Sequence, residues 1–387
     1  MSSVVRIRAL PLRTVAAATA AVLAAALGGC TAGPEPPEQP SSIARLEEAL
    51  EEFGNAMLDD GAPAVVMQAK VRGEERARAS GARSLEGREP VEIDDQVNIA
   101  SVTESFVAVS VLKLVDEGRL GLEDEVGKHL PEFEGIMHPP GPVTVRQLLQ
   151  HRSGMPDYVI PLLQQGSLRD VLATSRSPRE LLALAATQRW KPRLAQGFEH
   201  SDSNYIVLGM IVERLRGRPV GEVLRSDILE PLGLRSTSMT GSGPAPPSLV
   251  HGYVTSLGER LDVSYAALHA GDPAGGLVST VGDLNVFFAA LLQGRLIPRA
   301  LVTEMQDPPY AEYGLGIQRW NDTCTNNFYY GHAGQNAGYG AISMSSADGT
   351  RQASFALASP PQPFSSNGHG IVEDLTDVVE EALNASC

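Results

Sequence analysis

Apolar segments of the β type lie towards both ends of this chain, and amphipathic helical segments fill the region between them. Residues 64–71 (AVVMQAKV) form the first such run, and further short runs follow at 314–320, 337–344 and 352–358. From 100 to about 234 the apolar residues recur at helical spacing instead. This order predicts an α+β fold, with one antiparallel sheet built from both chain ends, flanking helices and an inserted all-helical lobe.

Local signals predict where several helices begin and end. Ser41 or Ser42 can cap the first helix, and Ser177-Pro178-Arg179-Glu180 has the pattern of a capping box with proline at the first helical position. A helix over 203–215 is expected to end at Gly217, and an amphipathic segment over 371–383 closes the chain.

The first 29 residues have the pattern of a secretory signal peptide. Arg6, Arg8 and Arg13 precede an apolar run over 14–27. At 1.5 Å per residue this run spans about 21 Å as a helix, short of the roughly 30 Å hydrocarbon core of a bilayer. We therefore predict an exported protein whose signal peptide covers residues 1–29.

Cys30 follows Leu27-Gly28-Gly29, a sequence that resembles the bacterial lipobox. In that motif the cysteine is diacylated and becomes the new N-terminus. We expect residues 30–41 to be a lipidated cysteine and a proline-rich tether, which holds the protein at the outer face of the cytoplasmic membrane. Ordinary signal cleavage nearby, with Cys30 left free, is the alternative.

Composition limits the function classes. Acidic residues number 46 and basic residues 31, for a net charge of −15, so nucleic acid is excluded as a main partner. The eight histidines lack an H-E-x-x-H or similar spacing, and we predict no metal and no organic cofactor. Three cysteines cannot build a disulfide scaffold, but Cys324 and Cys387 form an even pair that favours one disulfide after export. Free buried thiols are the alternative.

Several stretches between 41 and 382 match, in order, one family of enzymes. They are Asn98–Phe106 (NIASVTESF), Lys113–Leu120, Gln147–Pro156, Asn204–Gly209, Glu230–Gly233, Ala274–Thr280 with Asp283, and Gly331–Gly334 with Gly338–Gly340. On these residues the chain resembles the serine β-lactamase and D-alanyl-D-alanine carboxypeptidase family, in its class C-like branch that also contains esterases. The resemblance implies one β-lactamase-related domain over 42–387. Its α/β lobe would comprise 42–97 and 265–387, its helical lobe 98–264, and its cleft would lie at their junction.

The family uses a Ser-x-x-Lys pair one helical turn apart, so that the amine can take the serine proton. A Tyr-x-Asn element supplies a second proton carrier. A Lys/His-x-Gly strand element recognises the substrate and contributes a backbone N–H to the oxyanion hole. The resemblance therefore implies an acyl-transfer hydrolase of a small molecule or peptide, with cell-wall components among the candidates.

This sequence keeps some of those positions and changes others. Ser101 stands at the nucleophile position, and Glu104 stands where lysine is expected. His200-Ser201-Asp202 occupies the Tyr-x-Asn position. His332-Ala333-Gly334 fits the strand motif, with Gln335 at the second oxyanion donor. His151 is interpreted as a structural residue at a helix end.

Three interpretations of the altered site follow. Ser101–Glu104 has the pattern of a capping box, which would make the protein an inactive pseudoenzyme that binds a ligand or cell-wall component. Alternatively, His200 takes the proton of Ser101 while Glu104 or Asp202 orients the ring, giving a hydrolase of neutral or cationic esters or amides. The third is slow acylation of Ser101 by β-lactams or stem peptides, which would use the oxyanion hole and the helix N-terminus alone. His332 is expected to be the wall residue that faces Ser101, His200, Glu104 and Asp202.

Overall fold

Both chain ends contribute strands to one six-stranded antiparallel sheet. The computed structural model describes residues 41–191, 197–241, 245–264, 266, 271–308, 312–361 and 371–387, without the side chains of 371 and 372. The predicted signal peptide, Cys30 and most of the tether lie outside these residues. The strands of the sheet are β1 (Ala64–Val71), β2 (Glu74–Gly81), β8 (Gln318–Asp322), β9 (Asn327–Asn336), β10 (Tyr339–Ser346) and β11 (Arg351–Ala358), and they lie in the order β2-β1-β11-β10-β9-β8. The prediction of a sheet built from both ends is confirmed.

Two small sheets complete the β structure. Among the described residues, one has three strands in the order β3-β7-β4, and the other is the hairpin β5-β6. Their bounds are β3 (Val97–Asn98), β4 (Ser238–Met239), β5 (Tyr253–Ser256), β6 (Glu259–Asp262) and β7 (Leu277–Ser279). β3 leads directly into the helix that begins after Ser101, so the three-stranded sheet positions the predicted nucleophile.

Helices from the two termini cover one face of the large sheet. α1 (Ser42–Asp59) and α14 (Ile371–Ala385) contact each other and bury Leu46, Leu375 and Val379 against Phe355 of β11. The hydroxyl of Ser41 accepts a hydrogen bond from the backbone N–H of Ala44 at 3.3 Å, so the predicted cap is confirmed.

A disulfide joins Cys324, in the turn before β9, to Cys387, with Cα atoms 5.5 Å apart. It ties the end of α14 to the edge of the large sheet.

The other face of the sheet packs against α2 (Val102–Asp116) and α12 (Val281–Leu292), and the remaining helices follow α2 or α12 along the chain. These are α3 (Val126–His129), α4 (Phe133–Met137), α5 (Val145–Leu149), α6 (Val159–Leu163), α7 (Leu168–Ala173), α8 (Pro178–Ala185), α9 (Asp202–Arg216), α10 (Val220–Leu224), α11 (Glu230–Leu232) and α13 (Arg299–Gln306), with a π-helical turn at Arg225–Leu229. The capping box at Ser177–Glu180 is confirmed, and α9 ends at Gly217 with φ 73°. In the described part of the chain, no helix has both the length and the hydropathy that a bilayer crossing requires.

Candidate active site

Ser101 lies at the N-terminus of α2, in a position held by strained and hydrogen-bonded backbone. Ala100, which is fully buried, has φ 48°, a left-handed conformation that a non-glycine residue adopts only where its surroundings impose it. The side-chain oxygen of Asn98 accepts hydrogen bonds from the backbone N–H of Ala100 and from Asn336 Nδ2, both at 2.9 Å. The nucleophile position is therefore fixed between β3 and β9.

Strand β9 passes directly against the backbone of Ser101. A Cβ atom added to Gly334 would lie 2.6 Å from the backbone nitrogen of Ser101 and 2.7 Å from the carbonyl oxygen of Ile99, so glycine is required there. Gln335 is the next residue of β9 and pairs with Gly340 of β10. The backbone of Gly334 and Gln335 thus lies beside the N-terminus of α2, as expected for an oxyanion site.

Ser101 does not cap α2. Its side chain makes no capping hydrogen bond, and the backbone N–H of Glu104 bonds to the carbonyl oxygen of Ser101 at 2.9 Å instead. The interpretation of Ser101–Glu104 as a capping box is therefore wrong. The carboxylate of Glu104 does not reach back to Ser101 because it accepts hydrogen bonds from groups on other elements of the fold.

Glu104 is fully buried among imidazole and phenol groups. Its Oε2 accepts from His151 Nε2 at 3.1 Å and from Tyr313 Oη at 2.9 Å, and it lies 3.4 Å from His332 Nε2. Burial by itself raises the pKa of Glu104, but the interactions with His151, His332 and His200 outweigh it and hold the pKa well below its usual range. Glu104 is therefore a carboxylate at neutral pH. Its other oxygen, Oε1, is buried and has no hydrogen-bond partner among the described residues.

His151 has its tautomer set by its neighbours. Its Nδ1 accepts hydrogen bonds from the backbone N–H of Ser201 at 3.2 Å and from Asn204 Nδ2 at 3.1 Å. The ring proton must then be on Nε2, where it is donated to Glu104. The sequence indicates only a structural role at a helix end for His151. It gives no sign of this hydrogen bond to Glu104, the residue in the lysine position.

His332 forms the strand side of the same network. Its Nδ1 donates to the carbonyl oxygen of Ala333 at 2.6 Å, and its Nε2 lies 3.0 Å from Tyr313 Oη. The ring is only 2% exposed. Tyr313 contacts both Glu104 and His332, yet no motif in the sequence marked it.

His200 lies over the network at its open side. Its ring stacks on that of His151, with centroids 4.4 Å apart, and 43% of its side chain is exposed. His200 Nε2 lies 3.8 Å from Glu104 Oε1 and 3.9 Å from Asp202 Oδ1. Desolvation of the ring, followed by the nearby imidazole of His151, lowers the pKa of His200 to about 4, so this ring is neutral at pH 7.

The structure brings Ser101, Glu104, His200, Asp202, His332 and Gly334 into one region, but it does not join all of them. No hydrogen bond between Ser101 Oγ and His200 exists among the described residues. Cys324 and Cys387 lie at the sheet edge in their disulfide, apart from this network.

Further carboxylates, not predicted from the sequence, lie next to Asp202. Asp157 accepts hydrogen bonds from the backbone N–H groups of Asp202 at 2.9 Å and Val159 at 2.7 Å. Asp272 accepts from Tyr158 Oη at 3.1 Å. Burial, followed by repulsion from Asp157, raises the pKa of Asp202 well above its usual range, and burial raises the pKa of Asp272 to about 6. Because these carboxyl groups repel one another when ionised, a bound cation would relieve the repulsion and an anion would add to it, so this side of the site favours neutral or cationic groups.

A serine at the N-terminus of a buried helix, facing a glycine-containing strand of an antiparallel sheet, is the arrangement of the serine β-lactamase class of folds. The chain is a member of the Beta-lactamase family, whose family model matches residues 43–352. The resemblance proposed from the motifs is confirmed.

Individual relatives are moderately similar. Penicillin-binding protein 4* of Bacillus subtilis is 26% identical over 232 residues, which cover 57% of this chain and 50% of that protein. Esterase EstB of Burkholderia gladioli is 30% identical over 184 residues, or 43% of this chain and 44% of the esterase. These matches span half or less of the length of those relatives.

Solved structures show the same α+β fold. A D-stereospecific amidohydrolase from a Streptomyces species has a TM-score of 0.69 and 29% identity, covering 81% of this chain and 94% of that one. D-amino acid amidase from Ochrobactrum anthropi SV3 has a TM-score of 0.74 and 24% identity, covering 88% and 99% of the two chains. The predicted fold class is confirmed.

Proposed function

We propose that this protein is an acyl-transfer hydrolase that cleaves an ester or amide through Ser101, with His200 replacing the family's usual proton carriers. Relatives named as an esterase, an amidohydrolase and a penicillin-binding protein support this reaction class. The observation that carries the proposal is the position of His200. Its imidazole lies on the open side of the site, 3.8 Å from the buried carboxylate that replaces lysine.

The proposed proton transfer runs from Ser101 Oγ to His200 Nε2 as Oγ attacks the substrate carbonyl. The negative charge that forms on the carbonyl oxygen faces the backbone of Ser101 and Gln335. His200 then protonates the leaving group, and water hydrolyses the acyl-enzyme in a second step. Because no hydrogen bond joins the two side chains here, His200 must approach Ser101 when substrate binds, as catalytic hydrogen bonds often tighten only in the complex.

Glu104 would stabilise the positive charge that appears on His200 during this transfer. Two unit charges about 4 Å apart attract by roughly 4 kcal/mol at an effective dielectric of 20, and contact with water reduces this value. The same carboxylate opposes the negative charge that develops on the substrate. We therefore propose a slow hydrolase.

The proposed substrates are neutral or cationic esters and amides. The ionised carboxylate of Glu104, and the mutual repulsion of Asp157, Asp202 and Asp272, disfavour an anionic group such as the carboxylate of a β-lactam or of a D-alanine terminus. A peptide or small molecule without such a carboxylate fits the charge of the site better.

An inactive binding module is the second candidate, and one observation favours it. The lysine that activates serine in this family is replaced by a carboxylate that is already satisfied by His151 and Tyr313. In that case the acidic side of the site would bind a cationic ligand without turnover.

Mass spectrometry of the purified chain after exposure to a fluorophosphonate and to a penicillin tests these alternatives. We expect a fluorophosphonate adduct on Ser101 that is lost in Ser101→Ala and formed at least tenfold more slowly in His200→Gln. His251→Gln, at an exposed histidine paired with Asp262, is the matched control and should label normally. Labelling by both reagents would support slow penicillin-type acylation, and labelling by neither would support the binding module.

We also propose that the mature protein is a lipoprotein, exported across the bacterial cytoplasmic membrane and anchored to its outer face through Cys30. The Leu-Gly-Gly-Cys sequence and the proline-rich segment after it support this location. In cells given an alkyne-tagged fatty acid, the wild-type chain should be labelled and should sediment with membranes. Cys30→Ser should abolish both, whereas equal labelling of the variant would exclude acylation at this residue.

A further inference from the structure

Three side chains on the open side of the candidate active site have ligand atoms within 4.8 Å of one another: Asp157, His200 and Asp202. The buried Glu104 Oε1, which has no hydrogen-bond partner among the described residues, lies 3.8 Å from His200 Nε2. A buried carboxylate oxygen without a partner is costly and points to a missing ligand.

We propose that this cluster binds one divalent first-row transition ion, Zn²⁺ or Mn²⁺, through His200 Nε2, Asp202 and Asp157, and that the negative charge of the adjacent Glu104 carboxylate favours the cation. This inference goes beyond the proposed hydrolase and holds whether or not Ser101 reacts. This site departs from the sequence-based prediction of no metal, because its ligands come from two separated segments and not from one motif.

The distances suit a shared ion. Metal–nitrogen and metal–oxygen bonds of about 2.0–2.2 Å place two ligand atoms roughly 3.4 Å apart at a tetrahedral angle and about 4 Å apart at wider angles. His200 Nε2 lies 3.9 Å from Asp202 Oδ1, too far for a hydrogen bond but suitable for bridging by one ion. Glu104 Oε1 lies 3.8 Å from His200 Nε2 but groups with His151 and His200 instead, so it would act on the ion through its charge.

The hydrogen bonds leave the proposed ligands free to coordinate. Asp157 is held by two backbone N–H groups, one on each oxygen, and each oxygen keeps a second lone pair. The carboxylate of Asp202 makes no hydrogen bond to any described residue, and 23% of its side chain is exposed. An ion can therefore enter from the open side without breaking the network below.

His151 is not a ligand, although it also lies near Glu104 and His200. Its Nδ1 accepts two hydrogen bonds, and its Nε2 therefore carries the proton that is donated to Glu104. Coordination through Nε2 would need a shift of that proton and the loss of the bonds at Nδ1. Instead, His151 acts as a positioning residue that holds the Glu104 carboxylate in place.

The mixture of donor atoms selects the ion. One imidazole nitrogen with two carboxylates suits Zn²⁺ or Mn²⁺, whereas Mg²⁺ and Ca²⁺ prefer oxygen ligands throughout. The ion would use the lone pair of His200 Nε2 that the proposed hydrolase needs for proton transfer. Metal binding should then compete with serine activation.

Isothermal titration of the purified, chelator-stripped chain with Zn²⁺ and with Mn²⁺ tests the proposal. We expect one ion per chain, weaker binding of Mg²⁺, and at least tenfold weaker Zn²⁺ binding in both His200→Gln and Asp202→Asn. His251→Gln is the matched control, because His251 and Asp262 form another exposed histidine–carboxylate pair, 2.7 Å apart, and it should bind as the wild type does.

Cobalt provides a second readout that does not depend on activity or affinity alone. Co²⁺ bound by His200 should give visible absorption bands that His200→Gln removes and His251→Gln retains.

Absence of Zn²⁺ and Mn²⁺ binding to the wild type, or equal binding by His200→Gln, would overturn the proposal. Loss of binding in His251→Gln alone would also overturn it, by placing the ion on the surface. A chain that binds Zn²⁺ but takes no fluorophosphonate adduct would support the metal site and contradict the hydrolase.

Discussion

Two buried carboxylates in this molecule have opposite surroundings. Asp322, at the edge of the large sheet, accepts from Arg351 Nη2 at 2.5 Å and from Thr325 Oγ1 at 2.6 Å, and the backbone N–H of Cys324 bonds to its other oxygen at 3.0 Å. Both of its oxygens are occupied, and its partner carries a permanent charge.

Glu104 is equally buried but less completely paired. Its described partners are imidazoles and a phenol, and one of its oxygens is unsatisfied. A pair such as Asp322 and Arg351 stabilises the fold, whereas a carboxylate with an open position facing a cleft is available for a ligand or for proton transfer. This difference distinguishes the Asp322–Arg351 pair, which has a structural role at the sheet edge, from the candidate site around Glu104.

The largest expected effect is at the sheet edge. Asp322→Ala leaves the Arg351 guanidinium buried without its carboxylate, and we expect a loss of about 3–5 kcal/mol in the free energy of unfolding. Urea denaturation measures it. Arg169→Ala, which breaks an exposed pair with Glu259, should cost at most about 1 kcal/mol. Similar losses in the two variants would contradict the structural role given to Asp322.

A smaller effect is expected at the site. Glu104→Gln keeps the volume and one acceptor but loses the charge that strengthens the hydrogen bonds from His151 and Tyr313. We expect a loss of about 1–3 kcal/mol in the free energy of unfolding, below that of Asp322→Ala, because only neutral partners are affected. Glu52→Gln, at an exposed position of α1, is the matched control, and its free energy of unfolding should change by no more than about 0.5 kcal/mol. If Glu104→Gln proved more destabilising than Asp322→Ala, the contrast between the two carboxylates would be reversed.

The smallest effect is a pH dependence at the sheet edge. Although burial raises it, hydrogen bonds from Thr325 and Arg351 lower the pKa of Asp322 overall, so the folded state binds its proton less tightly than the unfolded state. The resulting stability is fully present above the unfolded pKa of about 3.9 and is lost as pH falls through the folded value. The stability difference between wild type and Asp322→Asn should therefore narrow below about pH 4. A difference that stays constant from pH 7 to pH 3 would show that Asp322 does not titrate with folding.

Much of the fold could be predicted because its signals are local. The apolar run at 64–71 coincides with β1, Ser177 caps α8, and Gly217 ends α9. Ordered motifs in the sequence also locate Ser101 and His332. These features depend on residues that are neighbours along the chain.

The contacts of the site could not be predicted in the same way. His151 is 47 residues from Glu104, and Tyr313 is 209 residues from it, so no periodicity or spacing connects them. Asp157 was missed for the same reason, since it reaches His200 and Asp202 only through the packing of separate segments.

One local pattern occurs twice in this chain, and its two copies show what the sequence determines and what the tertiary structure decides. Ser-x-x-Glu at 177–180 and at 101–104 is the same local signal, and the chain by itself determines that a helix begins at each. Only the tertiary structure decides what the glutamate does. Glu180 is at the surface, where the helix end offers the nearest donors, whereas Glu104 is enclosed by His151 and Tyr313, which bind its carboxylate instead. Packing brings the donors His151 and Tyr313 to the Glu104 carboxylate, and their hydrogen bonds replace the local capping hydrogen bond. A buried charge is costly unless such partners surround it.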